Sequence, residues 1–162
     1  MPRMKQTLLA AALVLSSAGV AHAGGQPNSI GVGAEVQISG VGGLSMNYDT
    51  GKFHVGGFLG IDDPQGASNT RIDFGGRFFY HIASTAMSDF SLGGSIGIRS
   101  DDAPGQDRVT LLFIEPAFQI RAFLASNVAL SFTGGFSIGA ADASDLVVDG
   151  QVSGIAGVHY YF

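Results

Sequence analysis

The sequence predicts an all-β protein, an eight-stranded antiparallel up-and-down transmembrane β-barrel. Apolar and polar residues alternate with the two-residue period of a β-strand through most of residues 30–162. Glycine is frequent, with 25 in 162 residues, and it interrupts these alternating runs instead of forming separate linkers. After residue 23 no apolar run is long enough for a spanning helix, so any membrane crossing would be made by the strands of a closed barrel.

The first four predicted strands are the most regular. They cover residues 30–39, 42–49, 52–61 and 70–82. In the first strand every second residue is apolar and is expected to face outward: Ile30, Val32, Ala34, Val36 and Ile38. The fourth strand separates its faces most completely, because Arg71, Asp73 and Arg77 share the inward face and the aliphatic residues share the other. The alternation therefore predicts strands that are apolar outside and polar inside.

The last four predicted strands cover residues 90–99, 108–124, 127–140 and 151–162. The sixth is the least regular, since residues 109–115 are apolar on both faces and Pro116 cannot donate a ladder hydrogen bond. We therefore expect a β-bulge near Pro116. The seventh strand places Val128, Leu130 and further apolar residues outward over serine, threonine and glycine.

The N-terminal segment predicts export from the cytoplasm. Arg3 and Lys5 precede an apolar run at residues 8–15, and Ala21-His22-Ala23 has the small-x-small pattern of a secretory cleavage site. The alternative is a membrane anchor, but the run is well short of the ~20 residues of a spanning helix. We expect residues 1–23 to be a cleaved signal peptide.

The remaining residues, 24–162, are expected to form one barrel domain. Loss of Arg3 and Lys5 takes the formal net charge from −5 to about −7, which disfavours nucleic acid as a partner. The sequence contains no cysteine, so it predicts neither a disulfide framework nor a lipidated N-terminal cysteine.

The C-terminal strand carries the most specific pattern in the chain. Val158, Tyr160 and Phe162 share one face, and the final residue is aromatic. This pattern resembles the C-terminal signature of bacterial outer-membrane β-barrels, where it marks the closing strand for the insertion machinery. The resemblance implies that these three residues form an insertion signal.

The whole arrangement resembles the small outer-membrane β-barrel superfamily, the eight-stranded barrels of the OmpA transmembrane domain and OmpX kind. This resemblance implies an integral protein of the Gram-negative outer membrane that contacts membrane lipid, lipopolysaccharide and the barrel insertion machinery, and we expect a monomer. The chain departs from these proteins in its short outer loops and in having no periplasmic domain after the barrel. Loop-mediated adhesion and peptidoglycan anchoring are therefore not expected.

An even strand number returns the chain to the side on which it started, so both ends of the barrel domain are expected in the periplasm. The expected periplasmic turns are residues 49–52, 83–89 and 125–127, and the expected outer loops are 40–41, 62–69, 100–107 and 141–150. Aromatic residues gather near the periplasmic end and predict an interfacial girdle. Its members are Tyr48, Phe53, Phe78, Tyr80 and Phe90.

The interior of so narrow a barrel is normally filled by its own side chains. Five charged residues are predicted to fill it as an ion-pair network: Glu35, Asp73, Arg77, Glu115 and Arg121. Arg71 and Arg99 would lie nearer the outer mouth. Two interpretations stay open, a static polar plug and a gate that passes small ions as a very narrow porin-like conductor.

No enzymatic site, cofactor or metal is expected. Lipid-hydrolysing barrels need a serine, a histidine and an acid placed together, whereas His54, His81 and His159 are predicted to point inward with no serine on the lipid face near them. A structural role is therefore expected. Two alternatives remain: binding of a small ligand, a divalent cation or lipopolysaccharide at the acidic outer loops, and a soluble periplasmic lipocalin-like barrel with an apolar interior.

Overall fold

The computed structural model describes residues 27–36, 38, 42–63, 70–102, 109–141, 145–149 and 155–162. The predicted signal peptide lies outside the described residues, as do the predicted loop 40–41 and most of the predicted loops 62–69 and 100–107. Within the described part of the chain, no helix is long and apolar enough to cross a membrane.

The described residues form ten β-strands. Their bounds are β1 Ser29–Val36, β2 Gly42–Asp49, β3 Phe53–Asp62, β4 Thr70–Ser84, β5 Ser88–Asp102, β6 Val109–Ala125, β7 Val128–Gly135, β8 Ser137–Ala141, β9 Asp145–Asp149 and β10 Ile155–Tyr161. Sequential neighbours pair antiparallel from β1 to β6. The first strand also pairs with β10, and β10 pairs with β7, which closes the ring.

The prediction of a closed eight-stranded antiparallel barrel is confirmed. The eight positions around the ring are taken by β1 to β6, by β7 and β8 together, and by β10. β7 and β8 are two parts of one predicted strand, interrupted at Phe136, and both pair with β6. That the barrel crosses a membrane stays a prediction.

Residues 145–149 were predicted to be part of an outer loop, and this is wrong. They form β9, an extra strand that pairs antiparallel with β8, with Ile138 opposite Val148. The reason is local: the run Leu146, Val147, Val148 has high β-propensity. Because β10 begins only at Ile155, the edge of β8 is available to this second hairpin strand.

The predicted bulge at Pro116 is also wrong. The pairing of β6 has the same register on both sides of the proline, with Ile114 opposite Ile138 and Ala117 opposite Gly135. The Phe136 N–H donates to the Pro116 carbonyl at 3.1 Å, so the ladder lacks only the bond that proline cannot donate.

The register shifts lie elsewhere, at Ile82 in β4 and Leu124 in β6. Both are close to the short connections between strands, where an extra residue can be accommodated without shifting the rest of the ladder. The predicted fourth and sixth strands ended at these two residues, and each observed strand continues beyond them.

Burial alternates along most of the strands as the sequence predicts, and two residues predicted to face outward are buried instead. Ile38, predicted to face outward, is only 4% exposed. It follows the end of β1, so the chain there no longer has to alternate, and its side chain lines an interior cavity beside Glu35 and Arg77. Val128, also predicted outward, is buried; it is the first residue of β7 and pairs with Ala125 beside the Leu124 bulge.

Two inward glycines make room for aromatic rings. A Cβ atom on Gly75 would lie 2.6 Å from Cζ of Phe58, and one on Gly97 would lie 2.5 Å from Cζ of Phe113. The two phenylalanine rings stack with their centroids 6.2 Å apart. The missing side chains on β4 and β5 thus create the space that this ring pair fills.

Gly75→Ala is therefore expected to destabilise the barrel by about 1–3 kcal/mol, the usual cost of overpacking. The neighbouring Gly76→Ala is the matched control, because its Cβ would meet nothing closer than 3.6 Å. Denaturant unfolding of the purified barrel measures both. Equal stability of the two variants would show that the ring pair does not depend on Gly75.

Candidate functional site in the barrel interior

The barrel has two distinguishable ends. Short connections at residues 50–52, 85–87 and 126–127, together with Phe162, lie at the end that we call the turn end. The longer connections lie at the opposite end, here called the loop end. The interior charges form three clusters between these ends, and each is described below from its contacts.

All five residues of the predicted interior network are buried in the barrel. They do not form a single chain of contacts with one another. Arg77 pairs with Glu35, Asp73 pairs with Arg99, and Arg121 pairs with two acids that were not predicted as members, Asp49 and Asp89.

The middle cluster consists of Glu35, Ser45, Arg77, Glu115 and His159. Arg77 donates to the carboxylate of Glu35 and to the hydroxyl of Ser45. Nε2 of His159 lies 2.6 Å from the same hydroxyl, and Glu115 accepts from the Ser95 hydroxyl at 2.7 Å. Since these groups come from five different strands, the cluster ties together much of the ring.

The structure thus brings a serine, a histidine and an acid together, which sequence reasoning did not anticipate. In a nucleophilic triad the acid contacts the histidine nitrogen that faces away from the serine. Here Glu35 Oε2 lies 3.8 Å from Nε2 of His159, the nitrogen that already contacts Ser45. Nδ1 has no hydrogen-bond partner among the described residues, and Ser45 is buried. The arrangement is that of a packed polar interior.

The loop-end cluster consists of Asp73, Arg99 and the aromatic pair. Arg99 binds both carboxylate oxygens of Asp73, with Nη2 2.9 Å from Oδ2. The guanidinium of Arg99 lies over the Phe113 ring, and that of Arg77 lies over the Phe58 ring, each 5.8 Å from the centroid. Two arginines therefore enclose the stacked rings.

Nearer the loop end a second ion pair is partly exposed to solvent. Nε of Arg71 lies 2.6 Å from Oδ1 of Asp101, and about a third of each side chain is exposed. The prediction that Arg71 and Arg99 are nearer the outer mouth agrees with these positions in β4 and β5.

The turn-end cluster contains Asp49, His54, His81, Asp89 and Arg121. Arg121 is 1% exposed and binds Asp89 through both Nε and Nη2, the latter at 2.6 Å. Nη2 also donates to Asp49 at 2.6 Å, and Nη1 donates to the hydroxyl of Tyr161 at 2.8 Å. One guanidinium thus joins β2, β5 and β10 to its own strand, β6.

Two histidines complete the turn-end cluster. Nδ1 of His54 lies 3.0 Å from Nε2 of His81, and Nδ1 of His81 lies 3.1 Å from the carbonyl oxygen of Gly51. Asp49 accepts from the Gly51 N–H at 2.7 Å, which anchors the turn at a residue with φ of 83°. One potential ligand atom from each of Asp49, His54 and His81 lies within 4.8 Å of the other two.

Sequence reasoning did not include Asp49, Asp89 and Tyr161 in the interior network, although the alternation placed Asp49 and Tyr161 on inward faces. Asp49 and Asp89 were assigned to periplasmic turns, where charged residues are normally solvated. The two-residue period was the available signal, because Asp49 lies in phase with the inward Asn47, and Asp89 lies in phase with the inward Ser91.

The interior is filled by these side chains. A cavity between the middle cluster and Ile38 measures about 10 Å³, and one at the turn end beside His81 and Arg121 measures about 50 Å³. Cavities of this size hold isolated water molecules.

The predicted aromatic girdle lies on the outer surface toward the turn end. Tyr48, Phe78, Tyr80 and Phe90 are exposed and Phe53 is half-buried. The Phe53 and Phe78 rings lie 5.5 Å apart. The structure thus brings these residues to one end of the barrel, while their contact with a membrane interface stays a prediction.

The predicted insertion signal lies on the closing strand. Val158, Tyr160 and Phe162 all face outward and are exposed. Backbone hydrogen bonds in both directions join Phe162 to Ile30, which places the last residue against the first strand. Recognition by an insertion machinery stays a prediction.

The fold and the interior together define a closed eight-stranded β-barrel protein whose interior is charged and filled by side chains. No family model, curated protein or solved structure matches this chain.

Proposed function

We propose that this barrel is an integral protein of the bacterial outer membrane, with a structural role and an interior plugged by fixed ion pairs. Membrane lipid and lipopolysaccharide are the surroundings that this proposal implies, with the insertion machinery as a transient partner and the monomer as the working form. The signal peptide expected from the sequence supplies the route of export.

The observation that carries the proposal is the outer surface of the barrel. Apolar side chains are exposed all around the ring, and none of the outward-facing positions between the ends of the described strands carries a charge. Examples from successive strands are Val32, Leu44, Leu59, Phe74, Ile96, Ile114, Phe132 and Val158. Soluble monomers rarely expose a continuous apolar patch larger than a few hundred Å². A lipid environment would bury this surface.

The interior argues against a soluble lipocalin-like barrel. Such a barrel places apolar side chains inside and polar side chains outside. Here the largest fully buried side chains include Arg121, Glu115, Asp49 and Asp73, while many large aliphatic and aromatic side chains are exposed. The polarity is therefore the one expected for a transmembrane barrel.

The proposal is tested by cell fractionation combined with heat modifiability. We expect the protein in the outer-membrane fraction, with a shift in gel mobility between unboiled and boiled samples. Recovery from the soluble periplasmic fraction without a shift would contradict the proposal.

Conduction is a separate property and is tested separately. Because the interior charges are paired and the cavities hold only isolated waters, we expect no single-channel steps when the purified barrel is added to planar bilayers. The same bilayer measurement should be made on Arg77→Ser, which removes the ion pair of Arg77 with Glu35 from the interior. Regular steps from the unaltered protein would contradict a fixed plug.

The alternative of ligand or divalent-cation binding at the acidic outer loops concerns eight aspartates, of which Asp107 and Asp142 lie outside the described part of the chain. Asp63 and Asp101, which are described, contact Thr70 and Arg71. Neither contact favours a cation site.

A further inference from the structure

We propose that Asp49, His54 and His81 bind one divalent transition-metal ion, such as Zn²⁺, inside the turn end of the barrel. Two imidazoles and a carboxylate are a common ligand set for zinc and related ions. This site was not expected from the sequence, and it does not depend on the proposed membrane function.

The strand register brings the three residues together. Asp49 on β2 lies directly opposite His54 on β3, and His54 lies opposite Phe79 on β4. His81 is two residues beyond Phe79, so it shares the inward face and is the diagonal neighbour of His54. Because the ladder sets these positions, one ligand atom from each residue lies within 4.8 Å of the others.

The spacing of the two histidine nitrogens matches a shared metal ion. Nδ1 of His54 and Nε2 of His81 are 3.0 Å apart. Two nitrogens bound to one zinc at ~2.0–2.1 Å are separated by about 2.9–3.4 Å for bond angles near 90–110°. The separation of the two nitrogens therefore suits a shared ion, and both rings must rotate so that their lone pairs, which now lie along the hydrogen bond, converge on the metal.

The surroundings of His81 are those of a metal ligand. Its Nδ1 faces the carbonyl oxygen of Gly51 at 3.1 Å, so Nδ1 carries the proton and Nε2 presents a lone pair to the interior. Metal-binding histidines typically donate their second ring N–H to a carbonyl or carboxylate in this way. The turn that holds Gly51 is itself anchored by Asp49.

His54 can change its tautomer to accept the metal. In the metal-bound form its proton resides on Nε2, which leaves Nδ1 free to coordinate. Nε2 is buried and has no hydrogen-bond partner among the described residues. The change breaks the hydrogen bond of the histidine pair, and the new Nε2–H of His54 needs an acceptor, such as a water, that the described residues do not supply.

A bound cation would lie beside the guanidinium of Arg121, in a cluster that also contains two carboxylates. Asp49 and Asp89 face the single guanidinium of Arg121, which leaves one negative charge in excess within the cluster. Arg121 donates to Nε2 of His81 at 3.1 Å, and the metal would replace this hydrogen bond. Arg121 would keep its contacts with Asp89 and Tyr161.

A small cavity adjoins the site at the turn end. The cavity of about 50 Å³ is lined by Asp49, His81 and Arg121 together with residues of the connecting turns. His81 is only partly buried. An ion entering a cavity of this size would have to shed most of its hydration shell, and a water in the cavity could complete its coordination.

The test uses the full mature barrel in detergent, with Co²⁺ as a spectroscopic probe and Zn²⁺ as a competitor. We expect one equivalent of Co²⁺ to produce the intense visible absorption of low-coordinate cobalt, and Zn²⁺ to displace it. His81→Gln should weaken binding by about tenfold or more, as loss of a ligand should cost at least as much as loss of an outer-shell partner. His159→Gln, which alters a buried histidine outside the cluster, should leave binding unchanged.

Folding of each variant is checked by its unboiled gel mobility. If the unaltered barrel shows no stoichiometric cobalt spectrum, the proposal is overturned whatever the variants do. Equal binding by His81→Gln and the unaltered protein would equally overturn it, because the metal would then be held elsewhere. A metal-free barrel that still resides in the outer membrane would leave the proposed function intact.

Discussion

Replacement of Arg121 by Gln is expected to lower the free energy of unfolding by about 3–5 kcal/mol, the usual loss when one partner of a buried ion pair is removed. Arg121 is 1% exposed and is the shared partner of Asp49 and Asp89. Without the guanidinium, two buried carboxylates face each other with less compensation. The measurement is denaturant unfolding. Unfolding is monitored by the folded band on unboiled gels, because the chain has no tryptophan to report it by fluorescence.

Arg71→Gln is the matched control. It removes an arginine from a similar ion pair, with Asp101, in which about a third of each side chain is exposed. A pair screened by solvent contributes about 0–1 kcal/mol. If the Arg121 and Arg71 variants lose the same small amount, the interior charges do not hold the barrel together in the way described.

The second large effect concerns the outer surface. Ile96 lies near the middle of β5 and is 53% exposed. If the barrel spans a bilayer, Ile96→Arg is expected to cost about 2–4 kcal/mol on folding into lipid vesicles, because a charge is placed near the bilayer midplane. In a water-soluble barrel the same substitution would be nearly neutral.

Leu124→Arg places the same charge on the same outward face near the turn end. Leu124 is 64% exposed and lies beside the connection at residues 126–127. Near the interface the cost should fall to about 0–1 kcal/mol. A similar cost at both positions would contradict a depth-dependent lipid environment. It would also contradict the proposal that the barrel spans a membrane.

The strands and their faces were accessible from the sequence because alternation is a local property. In β4, Ile72 and Phe74 face outward and Asp73 and Arg77 face inward, as predicted. Each assignment needs only the residue type and the two-residue period. The closing strand was predicted in the same way, and its pairing with β1 completes the ring.

Local reasoning was wrong where pairing partners decide the outcome. Pro116 lacks an N–H in any structure. Whether a bulge forms there depends on the facing strand. Here the Phe136 N–H donates to the Pro116 carbonyl, and the strand register is the same on both sides. Likewise, residues 145–149 become a strand because β8 offers them an unpaired edge. Neither partner can be identified from the segment itself.

The sequence by itself determined the number of barrel strands, the inward or outward direction of most side chains, and the burial of charge in the interior. Only the tertiary structure decided which charges meet: Arg121 with Asp49 and Asp89, and His54 with His81. The physical reason is that these contacts cross the barrel or join strands through their register, and partners such as Asp49 and Arg121 are 72 residues apart in the chain. Alternation sets the face of a residue, whereas strand register and barrel closure set its neighbours.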